Sequence, residues 1–291
     1  YNQENYIAEC LQSLVDQKTD FPFEIIVGDD CSTDKTREIV ENFAVKYPDI
    51  IVRNYHEFNI GAVKNAISTY ELARGEYLCH IDGDDGALPG KLKFTSDILD
   101  QNPDCVMVTH DAMVVDGGSK KVRDSLKAHK TGIYDSVELI RNLPFFTNST
   151  KMVRRQACIK SISLLCDNAI DVELHLLESR FGNIYHVNSP LGYYRVMVGV
   201  SSANKRVNSL IVEGYVRVFD SLIDGSVVDI KLDLKEIKTL YAKVFLNFSY
   251  QSIYFGRLDD AKRFCSKSIS LCLYSPKQIF IMALSYLGFI S

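Results

Sequence analysis

The apolar positions in the first half of the chain switch repeatedly between two periods. In "NYIAECLQSLVDQ", Ile7, Leu11, Leu14 and Val15 share one helical face and predict an amphipathic helix. "FEIIVGDD" follows as a short apolar run stopped by Gly28 and two aspartates, the pattern of a buried strand ending in a loop. Helical spacing returns in "STDKTREIVENFAVKYP", with Ser32, Thr33 and Asp34 as caps, Ile39, Val40 and Phe43 on one face, and Pro48 past its end. "IIVRNY" reads as a strand, "GAVKNAISTYELARG" as a helix closed by Gly75, and "EYLCHID" as a buried strand. A helix from Leu92 to Gln101, opened by "PGK", leads to the strand-like "CVMVTHDAMVV". This alternation, up to about residue 115, predicts an α/β fold with a mostly parallel, Rossmann-like sheet and helices on both faces.

After Asp116 the alternation weakens. "GGSKKVRDSLKAHKTG" is polar and flanked by glycine, so it is expected to be a mobile surface loop. A helix through "AIDVELHLLESRFG" precedes the strand-like "NIYHVNSPLGYYRV", and from about Val207 the pattern is helical. Residues 1–205 are therefore expected to form one domain and 206–291 a helical C-terminal appendage, in which "YFGRLDDAKRF" resembles the turn of a helical-repeat hairpin.

Composition narrows the class. With 46% hydrophobic and 24% charged residues, the 291-residue chain is long and apolar enough for a substantial core. A net charge of −4 argues against nucleic acid as partner, because such proteins usually carry a basic face. Eight scattered cysteines form no Cys-x-x-Cys pair and no zinc-ligand spacing, which fits a reduced, cytoplasmic protein. "IFIMALSYLGFI" falls short of the roughly 20 residues of a spanning helix. It is expected to be buried, with peripheral contact at the cytoplasmic face of a membrane, or a homodimer through the C-terminal helices, as the other roles open to it.

The chemistry concentrates in "HIDGDDGALPGK". Asp82, Asp84 and Asp85 place three carboxylates in four positions, where mutual repulsion calls for a cation, a compensating ligand or a well-solvated turn. In open α/β sheets ligands bind beyond the carboxyl ends of the strands, and both "GDD" at 28–30 and "DGDD" at 82–85 are expected there. Carboxylate oxygens suit Mn2+ or Mg2+, with diphosphate oxygens and water completing the shell; an acidic turn capping the next helix is the plainer reading.

Taken in order, "YNQENYIAECLQSLVDQ", "FEIIVGDDCSTDKT", "NIGAVKNAI", "GEYLCHIDGDD" and "LPGK" resemble the family 2 glycosyltransferases of the GT-A fold, over residues 1 to 115 and more weakly to about 202. The resemblance implies a GT-A nucleotide-diphospho-sugar transferase fold whose first strand would precede Tyr1. It also implies an inverting, metal-dependent transfer from a nucleotide-diphosphate sugar, a UDP-sugar by preference. The acceptor would be a glycan or lipid-linked glycan in polysaccharide or cell-surface glycan biosynthesis. Two rivals stay open: a nucleotidyltransferase, which usually shows a Gly-rich basic loop near its N-terminus, and a non-catalytic scaffold that binds sugar nucleotides.

By the same resemblance, Asp82 and Asp84 form the DxD motif, with Asp84 as direct metal ligand, Asp82 reaching the ribose or metal shell, and Asp85 a neighbour or second ligand. Asp30, or else Asp29, would accept the N3 proton of a uracil-type base, with turn-building as the alternative, and Tyr1 would stack near that base. Lys64 stands where the family often has Arg and would meet the diphosphate as a point charge. Arg195, in "YYRVMVGVSS", corresponds to a Tyr-Arg pair that folds onto the phosphates, or makes a surface salt bridge. An inverting enzyme needs a carboxylate to take the acceptor proton. Asp171 in "NAIDVELHLL" fills that place, although Ile170 precedes it instead of the usual Glu; Glu173 is the fallback and helix capping the competing role. "TNSTKMVRR" at 147–155 resembles the strand that lines the acceptor side in these enzymes, where Asn148 and Ser149 would hydrogen-bond a sugar or close a turn, and His80, His110 and His175 are expected to be hydrogen-bonded core residues.

Overall fold

Residues 1–143, 145–196, 198, 206–226 and 230–287 are described in the computed structural model of the chain. The chain divides into two units, Tyr1–Gly199 and Val200–Ser291. The first contains α1 (Ile7–Val15), β1 (Ile25–Asp29), α2 (Thr36–Lys46), β2 (Ile51–Tyr55), α3 (Ala62–Leu72), β3 (Tyr77–Cys79), β4 (Gly86–Ala87), α4 (Lys91–Gln101) and β5 (Cys105–Val115). It continues with β6 (Lys121–Arg123), β7 (Gly132–Tyr134), α5 (Ser136–Arg141), β8 (Lys151–Arg154), α6 (Arg155–Ile162), α7 (Asp171–Glu178) and β9 (Asn183–Arg195).

Strands β1 and β2 pair in parallel, and their Ile25 and Ile51 pack with Ile7 and Leu11 of α1 and Val40 and Ala44 of α2. The larger sheet runs β3-β8-β5-β9-β4, with β6 on β5 and β7 on β9. Among the described residues only β1–β2 and β5–β9 pair in parallel; the other pairs are antiparallel, so the sheet is mixed where the alternation predicts a mostly parallel one. The difference has a local cause. An apolar run announces a buried strand but not its direction, and the antiparallel β8 lacks even that signal, because its first residue is a buried lysine.

The register of β5 and β9 positions the site. Their parallel ladder runs from Cys105 opposite Asn183 to Val115 opposite Arg195, while Tyr193 lies opposite Gly86 of β4. The "YYR" end of β9 is thereby held between β5 and the acidic turn that precedes β4. The segment after β5, expected to be mobile, is tied down by β6 pairing and by hydrogen bonds to Asp111 and Asp116.

In the second unit, α8 (Ser209–Asp224), α9 (Leu234–Tyr254), α10 (Leu258–Leu271) and α11 (Pro276–Leu287) follow one another. The α9–α10 turn places Gly256 at φ 71°, the left-handed conformation that glycine adopts without a Cβ penalty. Leu246, Ile253, Ala261, Cys265 and Ile281 form a core cluster here. Serines allow close helix approach: Ser249 Oγ donates to the Ala261 carbonyl at 2.8 Å and Ser268 Oγ to that of Ala242 at 2.6 Å. Among the described residues no helix is long and apolar enough to cross a membrane. "IFIMALSYLGFI" forms most of α11, and its residues 288–290 lie outside the described residues.

Candidate active site

The acidic turn handles its three like charges by giving each a different environment. Asp85 N donates to the Asp82 carbonyl at 3.0 Å and closes the turn. Asp82, its side chain half exposed, meets His80 Nε2 at 3.0 Å through Oδ1 and accepts Ser149 Oγ at 3.1 Å through Oδ2. Desolvation alone would raise its pKa, but the hydrogen bonds from His80 and Ser149 hold it below the usual carboxylate range. Asp85 is buried: Oδ1 accepts Arg195 N at 2.8 Å, whereas Oδ2 has no partner. Desolvation, then the charge of Asp82, push its pKa up to about 7. Asp84 is half-buried, its carboxylate makes no hydrogen bond to another described residue, and desolvation and Asp82 again raise its pKa.

Beneath the turn lies Lys91, fully buried at the first position of α4, donating from Nζ to the Ser149 carbonyl at 2.7 Å. Desolvation pushes its ammonium down, while the charges of Cys79 and Asp85 oppose the shift. A buried cation beside a buried carboxylate stands in for the water that neither group can reach. Gly86 answers to packing: a Cβ there would lie 2.2 Å from the Tyr193 ring, so only glycine leaves room for Tyr193.

Arg195 holds this arrangement together. Its backbone N–H binds Asp85, Nε donates to the Asp84 carbonyl at 2.8 Å, and Nη1 donates to the Asp116 carbonyl at 2.9 Å and Ser119 Oγ at 3.0 Å. Nη2 pairs with Glu9 at 2.8 Å. With its fork turned onto the protein and only 3% of the residue exposed, Arg195 fixes the acidic turn instead of presenting the free guanidinium that the sequence reading assigns to the phosphates.

At the end of β1, Asp29 pairs with Arg37 at 2.7 Å, leaving Oδ1 buried without a partner. Asp30 accepts the amides of Ile60 at 2.6 Å and Gly61 at 3.0 Å, so it organises the loop entering α3. Tyr1 is 47% exposed. Lys64 is exposed and pairs with Asp167 at 2.6 Å. Asp34 is the local cap, accepting Thr36 N at 2.9 Å.

Asp171 opens α7, exposed and with no hydrogen-bond partner among the described residues. Desolvation raises its pKa and the charge of Asp82 adds to the rise, which ties this carboxylate electrostatically to the acidic turn. Glu173 instead caps the helix, accepting Ile170 N at 2.8 Å. The half-buried Tyr194 belongs to the same field: desolvation, then Asp85, Asp82, Asp84 and Asp171, push its pKa up to about 12. Asn148 and Ser149 sit in a buried 3-10 turn before β8.

Sequence reasoning missed two members of this site. His80 is a bridge: Tyr70 Oη lies 2.7 Å from its Nδ1, and Asp82 Oδ1 lies 3.0 Å from its Nε2. Its position two residues before Asp82 was the available signal. Lys91 carried none, since a lysine at a helix start reads as solvated. His110 and His175 are buried as expected.

The fit of a divalent cation can be tested on the donors themselves. Among the described residues no three carboxylates, histidines or cysteines converge as a ready-made cage. The unengaged Asp84 carboxylate and the orphaned Asp85 Oδ2 suit a hard cation that takes one or two carboxylates and completes its shell from substrate phosphates.

The mixed sheet with flanking helices and carboxylates at its strand ends is a GT-A fold, as the family and structural matches show. The solved structure of Staphylococcus aureus TarS with UDP-GlcNAc matches at a TM-score of 0.66 and 21% identity, covering 99% of this chain and 87% of that one. The mannosyltransferase PcManGT from Pyrobaculum calidifontis, with GDP-Man and Mn2+, matches at 0.59 and 15%, covering 99% and 83%. The chain belongs to glycosyl transferase family 2, whose family model matches residues 1–161. An uncharacterised protein of Mycobacterium tuberculosis is 33% identical over 198 residues, 67% of this chain and 56% of its own length. The chain thus spans about half the length of that curated relative.

Proposed function

We propose that the protein is an inverting, metal-dependent glycosyltransferase that moves a sugar from a UDP-sugar to a glycan or lipid-linked glycan acceptor in cell-surface glycan biosynthesis. The observation that carries this reading is Asp84: a carboxylate with no hydrogen bond to another described residue, beside the orphaned Asp85 oxygen, in the acidic turn that follows β3. When bound, Mn2+ or Mg2+ would supply the positive charge that stabilises the departing diphosphate. Asp84 would hold it directly, Asp85 from behind, and Asp82 would reach its shell or the ribose while His80 and Ser149 fix its orientation. Asp30 and Asp29 would receive the base, with Tyr1 beside it, and Lys64 would exchange its exposed Asp167 partner for phosphate. Asp171 would take the acceptor proton as the anomeric carbon is attacked; an exposed carboxylate of raised pKa is both reachable and a better base.

The test is titration calorimetry with UDP and with GDP, each with and without Mn2+, on the wild type and on Asp84→Ala. UDP binding that needs metal and is lost in Asp84→Ala is the expected result. Metal-independent binding, or none to either nucleotide in folded protein, sinks the proposal. Slow hydrolysis of the UDP-sugar in the presence of metal separates an enzyme from a binding scaffold.

A further inference from the structure

The segment 117–131 carries five basic side chains, Lys120, Lys121, Arg123, Lys127 and Lys130, and one acid, Asp124. Its net charge is +4 in a chain of net charge −4, so the rest of the molecule carries −8. Lys121 pairs with Asp124 at 2.6 Å, but Lys120, Arg123, Lys127 and Lys130 are exposed and make no ion pair among the described residues. Desolvation and the nearby charge of Arg123 push the Lys127 ammonium below its ordinary range, so two of these cations are close enough to repel each other.

A free loop would relax that repulsion by splaying apart, and this one is clamped. Asp111, buried in β5, accepts Leu126 N at 2.9 Å, Lys127 N at 3.2 Å, Ala128 N at 3.2 Å and the Ser125 hydroxyl. Asp116 accepts Gly118 N at 2.9 Å and Lys120 N at 3.0 Å. The clamp also leads into the site. Arg195 Nη1 donates to Ser119 Oγ and its Nε to the Asp84 carbonyl, so the basic segment begins two hydrogen bonds away from the acidic turn. Cations held near one another without a counter-charge, on a fixed backbone, form a surface preorganised for an anion.

We propose that residues 117–131 form a ledge for an anionic acceptor polymer, a glycan whose repeating units carry phosphodiester or carboxylate groups. This rests on the reading of the acidic turn as the donor site. A polymer fits better than a bilayer because the cations follow one short segment that starts at the site, whereas a membrane contact needs them spread over a broad face.

The experiment is fluorescence anisotropy of the full chain with labelled polyphosphate, polygalacturonate and neutral dextran, repeated on the exposed triple variant Arg123→Ala/Lys127→Ala/Lys130→Ala. The expected result is salt-sensitive binding of at least one polyanion, none of dextran, and a loss of about tenfold in the variant. Which polyanion binds separates phosphate from carboxylate recognition. Titration with UDP and Mn2+ on the same variant should be unchanged, which shows that the fold and the donor site are intact. Polyanion binding that survives in the variant, equal binding of dextran, or displacement of the polyanion by UDP overturns the ledge. Capture by phosphatidylglycerol vesicles that polyanions do not compete with also overturns it, in favour of a membrane contact. Failure of the wild type to bind UDP removes the acceptor role through the donor reading, a result visible separately from the polyanion measurement.

Discussion

Asp82, Asp84, Asp85 and Asp171 are one residue type in four electrostatic situations, and the differences assign their work. Asp82 is tied to His80 and Ser149 and stays ionised; Asp85 is buried and harder to ionise; Asp84 and Asp171 make no side-chain hydrogen bond to another described residue. For Asp171→Asn the expected outcome is a kcat lower by roughly 10²–10⁴ with UDP affinity unchanged, measured by sugar transfer and calorimetry. The base works only when deprotonated, so wild-type kcat/KM should fall as the pH drops through a pKa above the ordinary aspartate value of about 3.9. The part of that limb due to Asp171 should disappear in the variant, leaving the part set by Asp84 and Asp85. A variant that keeps full activity would return Asp171 to a helix-terminal role.

Helix α7 and strand β8 are joined by a salt bridge with no access to water: Lys151 Nζ lies 2.8 Å from Glu178 Oε2, and both side chains are at most 1% exposed. Strand β8 follows Ser149, which orients Asp82, and α7 begins at Asp171, so this pair sets the two ends of the site against each other. Removing one partner strands the other as a buried charge. Lys151→Met is expected to cost roughly 3–5 kcal/mol in urea unfolding, and Lys151→Met/Glu178→Leu to recover most of it. An additive double variant would show that the pair does not couple the two elements. The pair was not legible in the sequence, because a lysine 27 positions from its partner signals nothing locally, and β8, whose "KMVR" has no apolar period, was marked only by the family resemblance of "TNSTKMVRR". The long buried β5 was legible, since its apolar run is nearly continuous.

Across the first unit, burial holds His110 and His175 well below the usual histidine range and His186 at about 4. The unfolded chain takes up protons at these positions below about pH 6.5 while the folded one does not, so stability is lost as the pH falls from there toward the folded value. Asp85 works in the opposite direction, since its folded pKa is raised. The clean measurement is therefore a difference: the stability advantage of wild type over His186→Asn should shrink by about 1.4 kcal/mol per pH unit between about pH 6.5 and 4. A pH-independent difference would mean that His186 has the same pKa in the folded and unfolded chain. Periodicity alone was enough to place most helices and strands of this chain and to put "DGDD" at a strand end, because hydrophobic spacing and turn residues act over neighbouring positions. It also marked the basic segment by its charges. Strand direction, the inward turn of the Arg195 fork, the buried Lys91 and the bridging role of His80 came only from the assembled molecule. The Arg195 and Lys91 partners lie 111 and 58 residues away, and the Tyr70 hydroxyl reaches His80 from another element, so these contacts exist only after the chain has folded.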